Sequence, residues 1–126
     1  VVLKRVWETW RTRRLKKEHE AYIKEHQIHP VREFWKTLED HDKEWAQEVR
    51  KRIDELHRKN IGSLVYRPSR EDVKTLQRVA KEIHERVGQN PPDSRMWEAI
   101  IHTLDNYEEP YNTLGKLLRE LRKAKE

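Results

Sequence analysis

Seven histidines are the side chains best suited to acid–base or metal chemistry: His19, His26, His29, His41, His57, His84 and His102. Within any one of the helices read below, no two stand at i,i+3 or i,i+4, the spacing that brings two imidazoles to one ion. His-Glu-x-x-His and Glu-x-x-His are both absent. His19 and His26 share a face but lie two turns apart, about 10 Å along the axis, too far for a common ion. No metal and no cofactor are expected. Three glycines leave no Gly-rich phosphate loop, and the lack of cysteine removes thiolate catalysis, disulfides and Cys-type zinc sites.

His41 and Asp42 form the sharper polar candidate. Asp42 occupies the apolar seam of Val31, Trp35, Leu38, Trp45, Val49 and Leu56, whose steps of four and three, or multiples of that step, are those of a helix packed along its length. A carboxylate on such a seam is costly to bury unless it is paired. If the first two helices form a hairpin turning near residue 28, Asp42 faces Arg13, Arg14, Leu15 and His19. It then either closes an ion pair or orients His19 as a base or metal ligand. The ion pair is the simpler role. No Ser or Thr accompanies His41 and Asp42, and neighbours on a helix point apart, so a hydrolytic triad is not supported.

The third candidate is the basic run Arg11-Thr12-Arg13-Arg14-Leu15-Lys16-Lys17, with Trp7 and Trp10 before it and Tyr22 after it. These residue types bind phosphate backbones. The plainer alternative is a solvated face interleaved with Glu18 and Glu20. Leu3, Trp7 and Trp10 also stand at i, i+4 and i+7 with flanking arginines, the pattern of a helix that docks into an apolar groove, unless those residues are core.

The elements that must position these residues are helical. The spacing predicts helices over about 2–26, 30–59, 70–87, 94–106 and 110–125. Pro30 opens the second, where its missing N–H costs nothing. Ser69 and Asp72 form a capping pair before the third, and Gly88 is its C′ residue. Asp93 or Ser94 caps the fourth. Leu64, Val65 and Tyr66 in the long link are expected to pack on the body. The phase of the first helix slips midway, so it changes partner or projects beyond the rest. The fold expected is an all-α, up-and-down bundle of four to five helices in one domain, 1–126, with a long N-terminal hairpin.

Composition agrees. Charged residues are 40% and apolar residues 34% of the chain, so the core is thin and the wetted surface large. The net charge of +5 is concentrated in residues 1–26, which carry +4. No apolar run is long enough for a membrane span. The function these features favour is a non-catalytic scaffold or protein-interaction module, with a protein partner or self-association. The regular Pro and Gly punctuation resembles that of engineered bundles. The alternatives are a ligand or metal pocket around His and Asp42, and nonspecific nucleic-acid binding through the first helix.

Overall fold

The computed structural model describes residues 2–60, 69–104 and 112–125, with side chains except at 2–9, 11, 12, 60, 104, 112–115, 118, 124 and 125. The protein is an all-α bundle. Six α-helices are described: α1 (Val2–Glu25), α2 (Pro30–His41), α3 (Lys43–Asn60), α4 (Arg70–Ile83), α5 (Ser94–Leu104) and α6 (Asn112–Lys125). Among the described residues there is no strand, and no helix is long and apolar enough to cross a membrane. Leu64, Val65 and Tyr66 lie outside the described residues, as do residues 105–111 where the fourth and fifth predicted helices would meet.

The main departure from expectation is at residue 42. The predicted second helix is two helices, and Asp42 is the joint. Its backbone is extended, at φ −161° and ψ 107°. Its N–H still donates to the Leu38 carbonyl at 3.0 Å, closing α2, while its own carbonyl accepts from Ala46 N–H at 2.9 Å. Its Oδ1 accepts from Trp45 N–H at 3.1 Å, which makes it the N-cap of α3. Asp is a poor interior helix residue and a good N-cap for one reason: its short carboxylate competes for backbone N–H groups. The polar residue on the seam therefore ends a helix and is not buried in one.

The hairpin of the first two helices is replaced as well. Most helix–helix contacts of α1 are with α5, while α4 packs on α6 and α5 joins α2 to α6. The turn between α1 and α2 explains how the chain departs. Gln27 adopts φ +52°. Gln27 N–H donates to the Lys24 carbonyl at 3.2 Å and Ile28 N–H to the Ile23 carbonyl at 3.0 Å, so the last carbonyls of α1 are satisfied in a left-handed cap. His29 then caps α2 by accepting from Arg32 N–H at 3.3 Å, with Pro30 in the first turn.

The remaining caps follow the sequence. Ser69 Oγ accepts from Asp72 N–H at 3.1 Å, and Asp72 Oδ2 accepts from Ser69 N–H at 3.4 Å. Asp93 Oδ1 accepts from Met96 N–H at 3.0 Å at the start of α5. Gly88 is not beyond the end of α4. The helix continues as one π turn over His84–Gly88, closed by Gln89 N–H to the His84 carbonyl at 3.0 Å. A Cβ on Gly88 would lie 2.9 Å from His84 Nδ1, so the turn brings the imidazole against a position that has no side chain.

The core unites every helix from α2 to α6. Phe34, Leu38, Val49, Leu76, Ile83, Trp97, Ile100 and Leu117 are buried. Phe34 stacks on Trp97 at 5.7 Å between ring centroids, bridging α2 and α5. Each such side chain contributes about 1.5–3 kcal/mol of transfer free energy. Thr37 is buried beside them because its hydroxyl donates to the Glu33 carbonyl at 2.7 Å. Asp72 is buried too. Lys59 Nζ stands 3.0 Å from its Oδ1, tying the end of α3 to the start of α4.

Candidate functional site

Two regions gather polar or aromatic side chains that the fold alone does not require. The first surrounds the Asp42 joint. The indole of Trp45, in the first turn of α3, points across to α4, where its Nε1–H donates to Glu82 Oε1 at 2.6 Å. Arg52 Nη1 approaches Glu82 Oε2 at 3.6 Å, and Arg86 Nε lies 4.0 Å from Oε1. The Arg86 guanidinium covers the Trp45 ring at 4.9 Å from its centroid and reaches Asp42 Oδ2 at 3.7 Å. The His41 ring meets the same indole edge-on at 5.7 Å.

Asp42 therefore has a cationic partner, but not the one expected. Arg13, Arg14 and His19 belong to α1, which packs elsewhere; Arg86 comes from the π turn after α4. The two carboxylates and two guanidiniums close on one another around Trp45. These contacts tie α3 to α4 through charged side chains that are each a third to a half exposed. His41 lies edge-on to the indole, and no hydrogen bond joins it to Asp42 among the described residues. Nothing in the sequence marks Arg86 as the partner, since 44 residues separate it from Asp42. Only the i,i+4 pair Glu82–Arg86 is visible locally.

His19 is brought to a different place. Its ring stacks on His102 of α5 at 4.5 Å and 5° between planes. His102 Nε2 lies 3.5 Å from Glu98 Oε2. Arg95 sits over Tyr22 at 4.8 Å, adding a cation–π contact to the α1–α5 seam. His26 Nδ1 is 3.0 Å from the Tyr22 carbonyl. Among the described residues, no group of three or more His, Asp or Glu could hold a metal ion.

The second region is α1 before this seam. Residues 13–18 are exposed without exception, whereas His19, Tyr22 and Ile23 are half-buried. Six consecutive exposed positions are more than one full turn, so this part of the helix has solvent on every side. The predicted phase slip thus marks a projecting segment. Trp10 is 58% exposed and Leu15 39%, so neither serves the core. Arg14 pairs with Glu18 at 3.2 Å and Lys16 with Glu20 at 4.0 Å, the interleaving expected of a solvated helix. The Arg14 guanidinium also lies 5.8 Å from the Trp10 ring centroid. Trp10, Arg13, Arg14 and Lys17 fall within one helix face. The backbone at Trp7 and Arg11 belongs to α1; their side chains are outside those described.

No protein-family model matches the chain, and no curated protein and no solved structure matches it.

Proposed function

We propose that this chain is a non-catalytic helical scaffold that docks a protein partner through the projecting part of α1. The observation that carries the reading is the run of exposed residues 13–18 next to an exposed Trp10. A solvated tryptophan on a preformed helix is an anchor of the kind that dominates interfaces, and the arginines around it favour a partner with an acidic rim. In sequence, Leu3, Trp7 and Trp10 supply a continuous set of anchors for an apolar groove. The Trp45–Glu82–Arg86 cluster supports a scaffold role for the rest of the molecule.

The test is calorimetry of the full chain with calcium-loaded calmodulin, used as a probe whose apolar groove has an acidic rim. Saturable binding is expected, weakened about tenfold or more by Trp10→Ala, as for a loss of 1.4 kcal/mol or more. The variant should melt as the parent does. No saturable heat, together with a monomer at every concentration in sedimentation equilibrium, would overturn the reading. Arg13 and Lys17 have no ion pair among the described residues, which favours nonspecific nucleic-acid binding as the second reading. Its signature is affinity that falls steeply with salt and a slope flattened by replacing Arg13 and Arg14.

A further inference from the structure

The outer side of α4 carries another cationic surface, distinct from α1. Arg70, Lys74, Arg78 and Lys81 stand at i, i+4, i+8 and i+11, a single stripe opposite the buried Leu76, Val79 and Ile83. A shallow groove of about 470 Å³, largely open to solvent, lies along it, lined among the described residues by Lys74, Gln77, Arg78 and Lys81. All four are exposed. Four other cations stand beside carboxylates: Arg14 by Glu18, Arg52 by Glu82, Lys59 by Asp72, Arg86 by Asp42. Lys74, Arg78 and Lys81 have no such carboxylate among the described residues. The polar contact of Arg78 is Nη2 to Thr75 Oγ1 at 3.4 Å, which leaves most of the guanidinium fork open. Glu71 and Glu85 stand at the two ends of the helix and pair with none of the three.

We propose that this groove binds a short linear run of phosphate groups, an oligophosphate either free or carried on a nucleoside. Lys74, Arg78 and Lys81 repeat along one line at axial steps of about 6 and 4.5 Å, which suits a chain of anions better than a single one. Lys offers a point charge and Arg a fork matched to phosphate oxygens. The Gln77 amide adds neutral donors between them. No aromatic side chain is among the described lining residues, so the recognition that they supply falls on the phosphates. Like charges at i,i+4 oppose one another along a helix, so a bound polyanion would also relieve a tension built into α4.

The experiment is calorimetric titration of the full chain with sodium tripolyphosphate at low ionic strength. Saturable one-to-one binding is expected. The triple variant Lys74→Gln, Arg78→Gln, Lys81→Gln should lose about tenfold or more in affinity, as expected when charge-assisted bonds are removed. Its melting temperature should hold or rise, because all three residues are exposed. A charge-matched control, Arg32→Gln, Lys36→Gln, Lys51→Gln, at exposed positions on other helices, should keep its affinity to within about twofold, since a distant charge acts only through a screened field. ATP binding as tightly as tripolyphosphate would show that phosphates suffice, and tighter binding that the nucleoside adds contacts; both support the class. No saturable heat with tripolyphosphate, equal loss in the two triple variants, or binding of single-stranded DNA but not tripolyphosphate would overturn it.

Discussion

Removing the Asp42 carboxylate should break the joint between α2 and α3, and its cost can be worked from the geometry. The side chain caps α3 through the 3.1 Å bond from Trp45 N–H. Losing an N-cap costs about 1 kcal/mol, within a range of about 0.5–2. The contact with Arg86 is long, at 3.7 Å, and both side chains are more than two-fifths exposed. Solvent screening limits it to about 0.5 kcal/mol. Asp42→Ala should therefore destabilise by about 1.5 kcal/mol, or roughly 4–8 °C in melting temperature for a domain of this length. Asp42→Asn keeps a capping oxygen and loses only the ion pair, so it should stay within about 2 °C. Asp42→Leu should be at least as damaging as Ala, since Leu cannot cap. This reverses what the sequence alone implies, namely that an apolar residue on the seam is tolerated. The assay is a circular-dichroism melt at neutral pH beside urea denaturation. Asp42→Leu melting at or above the parent would refute the argument. It would mean that a continuous helix through residue 42 is accommodated and the carboxylate is only a burden.

Trp45→Phe removes the indole donor from Glu82 while leaving Arg52 and Arg86 on that carboxylate, so a loss of about 1 kcal/mol is expected; an unchanged urea midpoint would contradict it. Gln27→Gly should stabilise by about 0.5–1 kcal/mol, because the left-handed backbone at φ +52° disfavours a Cβ more than glycine's extra chain entropy costs; a lower melting temperature would count against the cap geometry. Asp72 links stability to pH. Burial pushes its pKa up, but the Lys59 ammonium and the Ser69 N–H and hydroxyl outweigh burial and hold it below the ordinary carboxylate value of 3.8. A carboxyl whose folded pKa is depressed contributes stability above its unfolded pKa, and that contribution is lost as pH falls through the folded one. Lys59→Met should narrow the stability gap between pH 7 and acid, measured by denaturant midpoints; an unaltered gap would remove Asp72 from the acid response.

The helical elements were legible because their signals are local. Pro30, the Ser69–Asp72 pair and Asp93 act within four residues of where they stand, and the apolar period identified Phe34's neighbours Trp35 and Leu38 as buried. Asp42 misled for an instructive reason. Its spacing fits the seam, so a periodic reading keeps it in the helix, whereas its capping chemistry ends the helix at that position. Both signals were present, and burial cost decides between them. The choice of Arg86 over Arg13, and of α5 over α2 as the partner of α1, depends on long-range packing that no short window contains. The exposed Trp10 follows the same rule: an aromatic at helical spacing is core in most helices, and only the absence of a neighbour around residues 13–18 reassigns it.

That bare stretch of α1 also separates two equilibria. Its backbone bonds are supported by the helix itself and by weak pairs such as Arg14–Glu18. Its amides should therefore exchange with solvent through local opening, while those of α4 and α5 wait for global unfolding. A molecule closing over residues 13–18 would slow the first process without touching the second. Amino-acid changes there can drift, or be selected for recognition, with almost no effect on whether the chain folds.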